Sequence, residues 1–258
     1  MLKLSIVIPC YNEALNVPGL KKDLWPVVQD LKKTSPWSEV EVIFVDDGSK
    51  DETVELLRRA FEGFSEVTLL RHPQNQGLGA ALRTGFEACT GDVVVTTDSD
   101  ATYAFSEIPP LLNRLTKDVD IVTASPYHPD GGIDNVPRYR IFLSKGASAM
   151  YRVLVNPKLH TYTSMFRAYR RPVLVKARHE HNGFLGVTEI LVRAMLDGAK
   201  VAEHPCRLRV RHYGQSKAKV ASITRSHLKF QGRVLLYRLS SLVGRGHLSF
   251  TTKGNRGQ

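Results

Sequence analysis

Three short acidic clusters hold the residue types from which chemistry could be built. They are Pro9-Cys10-Tyr11-Asn12-Glu13, Asp46-Asp47-Gly48-Ser49 and Asp98-Ser99-Asp100. Each follows an apolar, β-branched run: Ile6-Val7-Ile8, Val42-Ile43-Phe44-Val45 and Val93-Val94-Val95-Thr96-Thr97. Carboxylates gathered at one sheet edge repel one another by about 1 kcal/mol per close pair, even in high dielectric. A structural turn rarely needs that repulsion. A divalent cation relieves it, and a ribose hydroxyl or base amide offers donors to the same acceptors. Asp98 and Asp100, one residue apart, suit Mg²⁺ or Mn²⁺ completed by diphosphate oxygens and water. In the second cluster Ser49 and Asp51 read as the turn and cap of a following helix, leaving Asp47 to face a ligand. Gly77-Leu78-Gly79 lacks the Walker lysine and the full dinucleotide pattern, so its glycines read as the opening of a helix.

The elements that must hold these clusters alternate in hydrophobic period. Strands are expected at 4–9, 40–46, 66–71, 92–97 and 119–124, with helices at 16–33, 51–61, 79–89 and 107–115 between them. Such alternation with short connections argues for a parallel, doubly wound sheet with helices on both faces. Ligands in these sheets bind at the carboxyl ends of the strands, where the three clusters fall.

Composition bounds the rest. The chain has 258 residues, 42% hydrophobic and 24% charged, which fits a single α/β domain with an appendage. No run approaches the roughly 18–20 apolar residues of a membrane span. The first residues lack the apolar length and small-residue site of a signal peptide. Three cysteines (Cys10, Cys89, Cys206) without metal-type spacing read as reduced thiols, and a cytoplasmic location is expected. The formal charge is +11, and its whole excess lies in residues 204–258, which carry 12 basic and no acidic side chains. That block favours a polyanion: nucleic acid, an anionic membrane surface or a phosphorylated ligand.

Residues 219–243 read as a basic amphipathic helix. Val220, Ile223, Leu228, Val234, Leu235, Leu239 and Leu242 share one side, and Arg225, Lys229 and Arg233 the other, with Arg238 an exception among the apolar set. Such a helix is expected to lie in a membrane interface, peripheral on the cytoplasmic face, or else to dock its stripe on the parent domain. Nucleic acid is not expected, because only Phe230 and Tyr237 interleave the basic residues. Residues 244–258 are expected to form a disordered tail.

Ile-Val-Ile-Pro-Cys-Tyr-Asn-Glu (6–13), Val-Asp-Asp-Gly-Ser (45–49), Asn-Gln-Gly-Leu-Gly-Ala-Ala (75–81) and Asp-Ser-Asp (98–100) resemble the nucleotide-sugar half of glycosyltransferase family 2. Ser144-Lys145-Gly146-Ala147, residues 163–167, Gly183-Phe184 with Glu189, and Arg211-x-x-Gly214-x-Ser216-Lys217 resemble its polyprenyl-phosphate branch, above all the dolichol-phosphate mannose synthases. The resemblance implies a GT-A fold, Rossmann-like, doubly wound and mainly parallel, and an inverting, metal-dependent hexose transfer. It implies a domain at 1–218, with a nucleotide-sugar half (1–125) and an acceptor half (126–218). By the same resemblance Pro9, Tyr11, Glu13, Val45, Asp47, Asp98, Ser99 and Asp100 would hold the nucleotide sugar. Asp98 and Asp100 would hold the metal. Arg140, Ser144, Arg211, Ser216 and Lys217 would meet an acceptor phosphate. The chain departs from the pattern at Pro126, where the family carries an arginine that Arg138 or His128 could replace, and at Thr102, where it carries glutamine.

An inverting transfer needs in-line attack and neutralisation of the departing nucleoside diphosphate. A phosphate acceptor, already anionic near neutral pH, needs positioning cations and no base. Asp100, Glu189, Arg211 and Lys217 are the expected catalytic set. Two alternatives remain open. A sugar-hydroxyl acceptor would need a general base, for which Glu189 is the candidate, unless that carboxylate serves only to orient Arg193. A non-catalytic lipid- or nucleic-acid-binding module on a degenerate fold is the other.

Overall fold

The computed structural model describes residues 2–34, 36–210 and 220–242. β1 (Leu2–Cys10) leads through a 3₁₀ turn at Ala14–Asn16, α1 (Val17–Gly19) and a π turn at Leu20–Leu24 into α2 (Trp25–Lys33). The chain then alternates: β2 (Trp37–Asp46), α3 (Thr53–Ala60), β3 (Val67–Arg71), α4 (Leu78–Ala88), β4 (Val93–Thr96), α5 (Ile108–Asn113) and β5 (Ile121–Ser125). The remainder comprises β6 (Gly132–Asp134), α6 (Arg138–Leu154), β7 (Arg167–Arg170), α7 (Arg171–Lys176), α8 (Leu185–Leu196), β8 (Val201–Pro205), β9 (Arg207–Arg209) and α9 (Val220–Leu242).

Seven strands form one sheet in the order β3-β2-β1-β4-β7-β5-β8, and β6 pairs with β9 in a separate ribbon. Side chains along β1 alternate between two cores, as the period of a strand buried on both faces requires. Leu4, Ile6 and Ile8 join Leu24, Val28, Phe44 and Phe61 on one face. Val7 joins Val45, Leu82, Val94 and Leu191 on the other. The β1–β2 register sets Pro9 opposite Val45 and Cys10 opposite Asp46, so the first two acidic clusters emerge side by side.

β7 is the departure from simple alternation. It lies between β4 and β5 and runs antiparallel to both. A strand from the second half of the chain is thereby built into the first half's sheet. Arg167, which opens β7, is fully buried. Its guanidinium donates to Thr123 Oγ1 (3.0 Å), Tyr162 O (2.7 Å) and Val187 O (2.5 Å), so the desolvated charge is met by oxygen on three sides.

α9 lies against α6 and α8 with Phe230 and Val234 buried. Arg238, the basic residue on the apolar side, donates to Leu154 O (3.2 Å) and Val155 O (3.0 Å) and so satisfies carbonyls at the carboxyl end of α6. No described helix is long and apolar enough to cross a membrane. The three cysteines are free and buried. The tail at 244–258 lies outside the described residues.

Candidate active site

The loops after β1 and β2 are knitted to each other. Asn12, in the left-handed region at φ 51°, donates its backbone N–H to Ser49 Oγ (2.8 Å) and accepts from Lys50 N at its side-chain oxygen (2.7 Å). Glu13 N donates to Thr53 Oγ1 at 2.7 Å. Gly48 has φ 73°, and a Cβ there would come within 2.4 Å of the Gln74 backbone, so glycine is required on both counts. Asp51 accepts from Thr53 N (3.1 Å) just ahead of α3, whose N-cap is Glu52 and not Asp51. Tyr11 and Glu13 are half-buried at this edge.

Asp47 behaves differently from the expectation that it faces a ligand. It is buried, and its carboxylate contacts four groups: His72 Nδ1 (2.7 Å), Asn75 Nδ2 (2.9 Å), Gln76 N (2.8 Å) and Gly77 N (2.8 Å). Its oxygens are thus spent on the 72–77 loop and the opening of α4. Gly77 (φ 104°) and Gly79 stand where a Cβ would meet the Asn182 and His181 carbonyls at 2.5 and 2.1 Å. These glycines let the 179–183 loop close on the helix.

The third cluster sits at the end of β4. Asp100 is buried, and its Oδ1 accepts from Thr102 N (3.0 Å) and from the Thr102 hydroxyl. Ala101 takes φ 52° to make that turn. Thr102, weak as a replacement metal ligand, instead orients Asp100. Asp98 is half-buried and lines a cavity of about 450 Å³. Two hard carboxylates at this spacing suit a small divalent cation.

That cavity joins the two halves of the chain. Asp98 and Thr102 line one part, Arg140 and Ser144 of α6 another, and Ile223, His227, Leu228 and Gln231 of α9 a third. Ser144 Oγ lies 2.6 Å from Thr163 Oγ1. Tyr127 also lines the cavity, with Lys145 Nζ 5.4 Å from its ring centroid. Burial raises the Tyr127 and Tyr103 phenol pKa values, Tyr103 far above its usual range, so both remain neutral donors beside the cavity. Such an arrangement can take an anion at Arg140 and Ser144, with Asp98 in the same space.

The description "Glycosyl transferase family 2" belongs to a family model that matches residues 5–177. The chain belongs to that family. A dolichol-phosphate mannosyltransferase of Pyrococcus furiosus is 32% identical over 86% of this chain and 61% of its own length, so this chain spans under two thirds of that relative. A polyprenol monophosphomannose synthase of Mycolicibacterium smegmatis is 31% identical over 87% of this chain and 84% of its own. An undecaprenyl-phosphate 4-deoxy-4-formamido-L-arabinose transferase of Pseudomonas paraeruginosa is 31% identical over 94% and 68%. Among solved structures, glucosyl-3-phosphoglycerate synthase of Mycobacterium tuberculosis, in complex with Mn²⁺, UDP-glucose and phosphoglyceric acid, superposes with a TM-score of 0.68. It is 20% identical and covers 92% of this chain and 79% of its own, a likeness of fold. The fold is that of the GT-A glycosyltransferases.

Within this family 2 fold, some expected site residues converge and others do not. Asp98, Arg140 and Ser144 line one cavity. Pro9, Tyr11 and Glu13 stand outside its lining, at the carboxyl end of β1. Val45 is fully buried among Val7, Ala81 and Leu82, so its side chain is core and not a ligand contact. Arg211, Ser216 and Lys217 lie outside the described residues. Neither Arg138 nor His128 lines the cavity in place of the arginine absent at Pro126.

Glu189 is the main correction. It is buried in α8, and its Oε2 accepts from Glu180 N (3.1 Å) and His181 N (2.8 Å). Its Oε1 meets Arg193 Nε and Nη2, both at 2.8 Å. The carboxylate thus shapes the 180–181 loop and neutralises a buried guanidinium, and it does not line the cavity although its neighbour Thr188 does. A general base needs a free oxygen within reach of the acceptor; Glu189 offers neither. Sequence reading also missed that α9 walls the cavity. The signal was the polar pair His227 and Gln231 inside an apolar stripe, buried at 7% and 4% exposure.

Proposed function

We propose that the chain is an inverting glycosyltransferase that moves a hexose from a nucleotide sugar of the GDP-mannose or UDP-glucose type to a polyprenyl phosphate at a membrane surface. The observation that carries the reading is one cavity lined by Asp98, Arg140 and Ser144, with Phe142, Met150 and Leu228 forming apolar parts of the same wall. Phe142 (77% exposed) and Leu228 (60%) also reach solvent, so the apolar wall runs out onto the surface. One end suits a phosphate and the other a hydrocarbon chain. The relatives whose names specify polyprenyl or dolichol phosphate support the same assignment.

In this reading residues 1–125 bind the donor and 126–218 the acceptor. Pro9, Tyr11 and Glu13 border the nucleotide, while Asp47 holds the 72–77 loop that frames it. Asp98 and Asp100 would hold Mg²⁺ or Mn²⁺, which when bound neutralises charge on the departing nucleoside diphosphate. Arg140 and Ser144 orient the acceptor phosphate for in-line attack, with Arg211, Ser216 and Lys217 assigned to the same phosphates by resemblance alone. No side chain must remove a proton, because the acceptor is anionic near neutral pH. The exposed leucines of α9, with Arg225, Lys229 and Arg233, would rest on the cytoplasmic face of an anionic membrane.

A donor-by-acceptor screen tests this directly. Purified protein with Mg²⁺ or Mn²⁺ receives labelled GDP- and UDP-hexoses, with and without polyprenyl phosphate in detergent. The expected result is an acid-labile labelled lipid that forms only with the phosphate acceptor. Donor turnover without that lipid would redirect the acceptor to a hydroxyl, and silence with every donor would favour a binding module.

A further inference from the structure

We propose that His128, His160 and Glu203 form a zinc site of two imidazoles and one carboxylate, separate from Asp98 and Asp100. One ligand atom from each of the three lies within 4.8 Å of the others. The His128 and His160 rings meet edge to face with centroids 5.3 Å apart at 75°. Three segments far apart in sequence supply them: the turn after β5, the loop before β7, and β8.

The fold explains how they converge. β8 pairs with β5, setting Glu203 opposite Thr123 and His204 opposite Ala124. Alternation along the strand sends His204 to Glu107 at 2.7 Å, and leaves Glu203 toward the His160 loop. Glu203 Oε1 accepts from His160 N (2.9 Å) and Thr161 N (3.1 Å), which fixes the carboxylate before any ion arrives. Its Oε2 lies 2.7 Å from His160 Nδ1.

Hydrogen bonding accounts for His160 and Glu203 but not for the second imidazole. Among the described residues His128 Nδ1 has only Asp130, whose backbone N is at 3.2 Å and whose carboxylate is at 3.5 Å. No hydrogen bond involves the Nε2 atom of either ring among the described residues. Side-chain exposures of 28% for His128, 27% for His160 and 9% for Glu203 describe a recess that an ion can enter. Imidazole nitrogen selects zinc over magnesium, and two nitrogens with one carboxylate leave a fourth tetrahedral position for water or for exposed Asp130.

The site has a consequence for the cavity. His128 follows Tyr127 and His160 precedes Thr161, and both of these neighbours line the cavity. A bound ion would tie the two segments together and hold that wall in one geometry.

The test uses the untagged, chelator-stripped full chain in Mg²⁺-saturated buffer, titrated calorimetrically with Zn²⁺. The expected result is one Zn²⁺ per chain, with visible d–d absorption of tetrahedral character when Co²⁺ is substituted. His128→Ala, at a half-exposed position that leaves the core intact, abolishes binding, and Asp98→Ala leaves it unchanged. Asp130→Asn weakens it by about tenfold if Asp130 takes the fourth position and not at all if water does. Absence of zinc binding in the wild-type chain overturns the proposal. So does zinc binding that survives His128→Ala or disappears in Asp98→Ala.

Discussion

The two halves of the molecule build their sites by different means. In the first, the functional edge is a set of consecutive residues after β1, β2 and β4, held by short-range hydrogen bonds and glycine geometry. In the second, the cavity wall is assembled from α6, the 161–165 loop and α9, which are remote in sequence. The first half buries Asp47 and Asp100 in local polar networks. The second combines one cavity-lining arginine of α6 with exposed apolar side chains. The contrast teaches that the cavity wall depends on helix placement, while the acidic strand-end edge depends on turn chemistry.

The largest expected effect tests the shared point between the halves. Asp98→Ala should lower sugar-transfer turnover by about a thousandfold, near 4 kcal/mol, with the circular dichroism spectrum unchanged. Wild-type turnover in that variant would remove the metal from Asp98.

Glu189→Gln should act on stability, because it removes the buried carboxylate charge that faces the buried Arg193 guanidinium, while Glu180, the other carboxylate paired with it, is exposed. A loss of about 3 kcal/mol is expected by denaturant titration. A variant of full stability without activity would restore Glu189 as a base.

Arg140→Ala should reduce kcat/KM for polyprenyl phosphate about thirtyfold, roughly 2 kcal/mol, while donor hydrolysis without acceptor is unaffected. An equal loss in both assays would place Arg140 on the donor instead.

His227 sharpens the comparison through pH. Burial, with the nearby His181 charge second, lowers its pKa from 6.5 to about 4. The folded state therefore binds fewer protons than the unfolded state between those values. Stability is fully present above pH 6.5 and lost as pH falls toward 4, by about 2 kcal/mol at pH 5. Thermal melts of wild type and His227→Gln should diverge in that window, with the variant showing the flatter profile.

The smallest effect concerns the surface. Leu235→Ser with Leu236→Ser, both exposed, should leave the melting temperature within error and weaken binding to anionic vesicles about tenfold. Unchanged vesicle binding would return α9 to a purely structural role.

Much of the first half is legible in the amino-acid sequence. The five strands and their connecting helices lie where hydrophobic period places them, because a strand buried on both faces must read as a continuous apolar run. The glycines at 77 and 79 open a helix as read. Less legible is β7, four residues long and opened by an arginine, which no periodic signal marks as a central strand. Asp47, Val45 and Glu189 show the limit within the site. Residue type identifies a carboxylate or an apolar neighbour of the site, but not which oxygens are already occupied.

The sequence by itself determined the doubly wound core, the acidic ends of its strands and the basic, acid-free carboxyl-terminal segment. These follow from local period, propensity and charge, which each segment carries without its neighbours. Only the tertiary structure decided that Glu189 is committed to Arg193 and the 180–181 loop, that α9 walls the cavity with His227 and Gln231, and that His128, His160 and Glu203 meet. Those outcomes depend on which remote donors and acceptors fill a group's hydrogen-bonding capacity, and that is settled when the helices and strands pack.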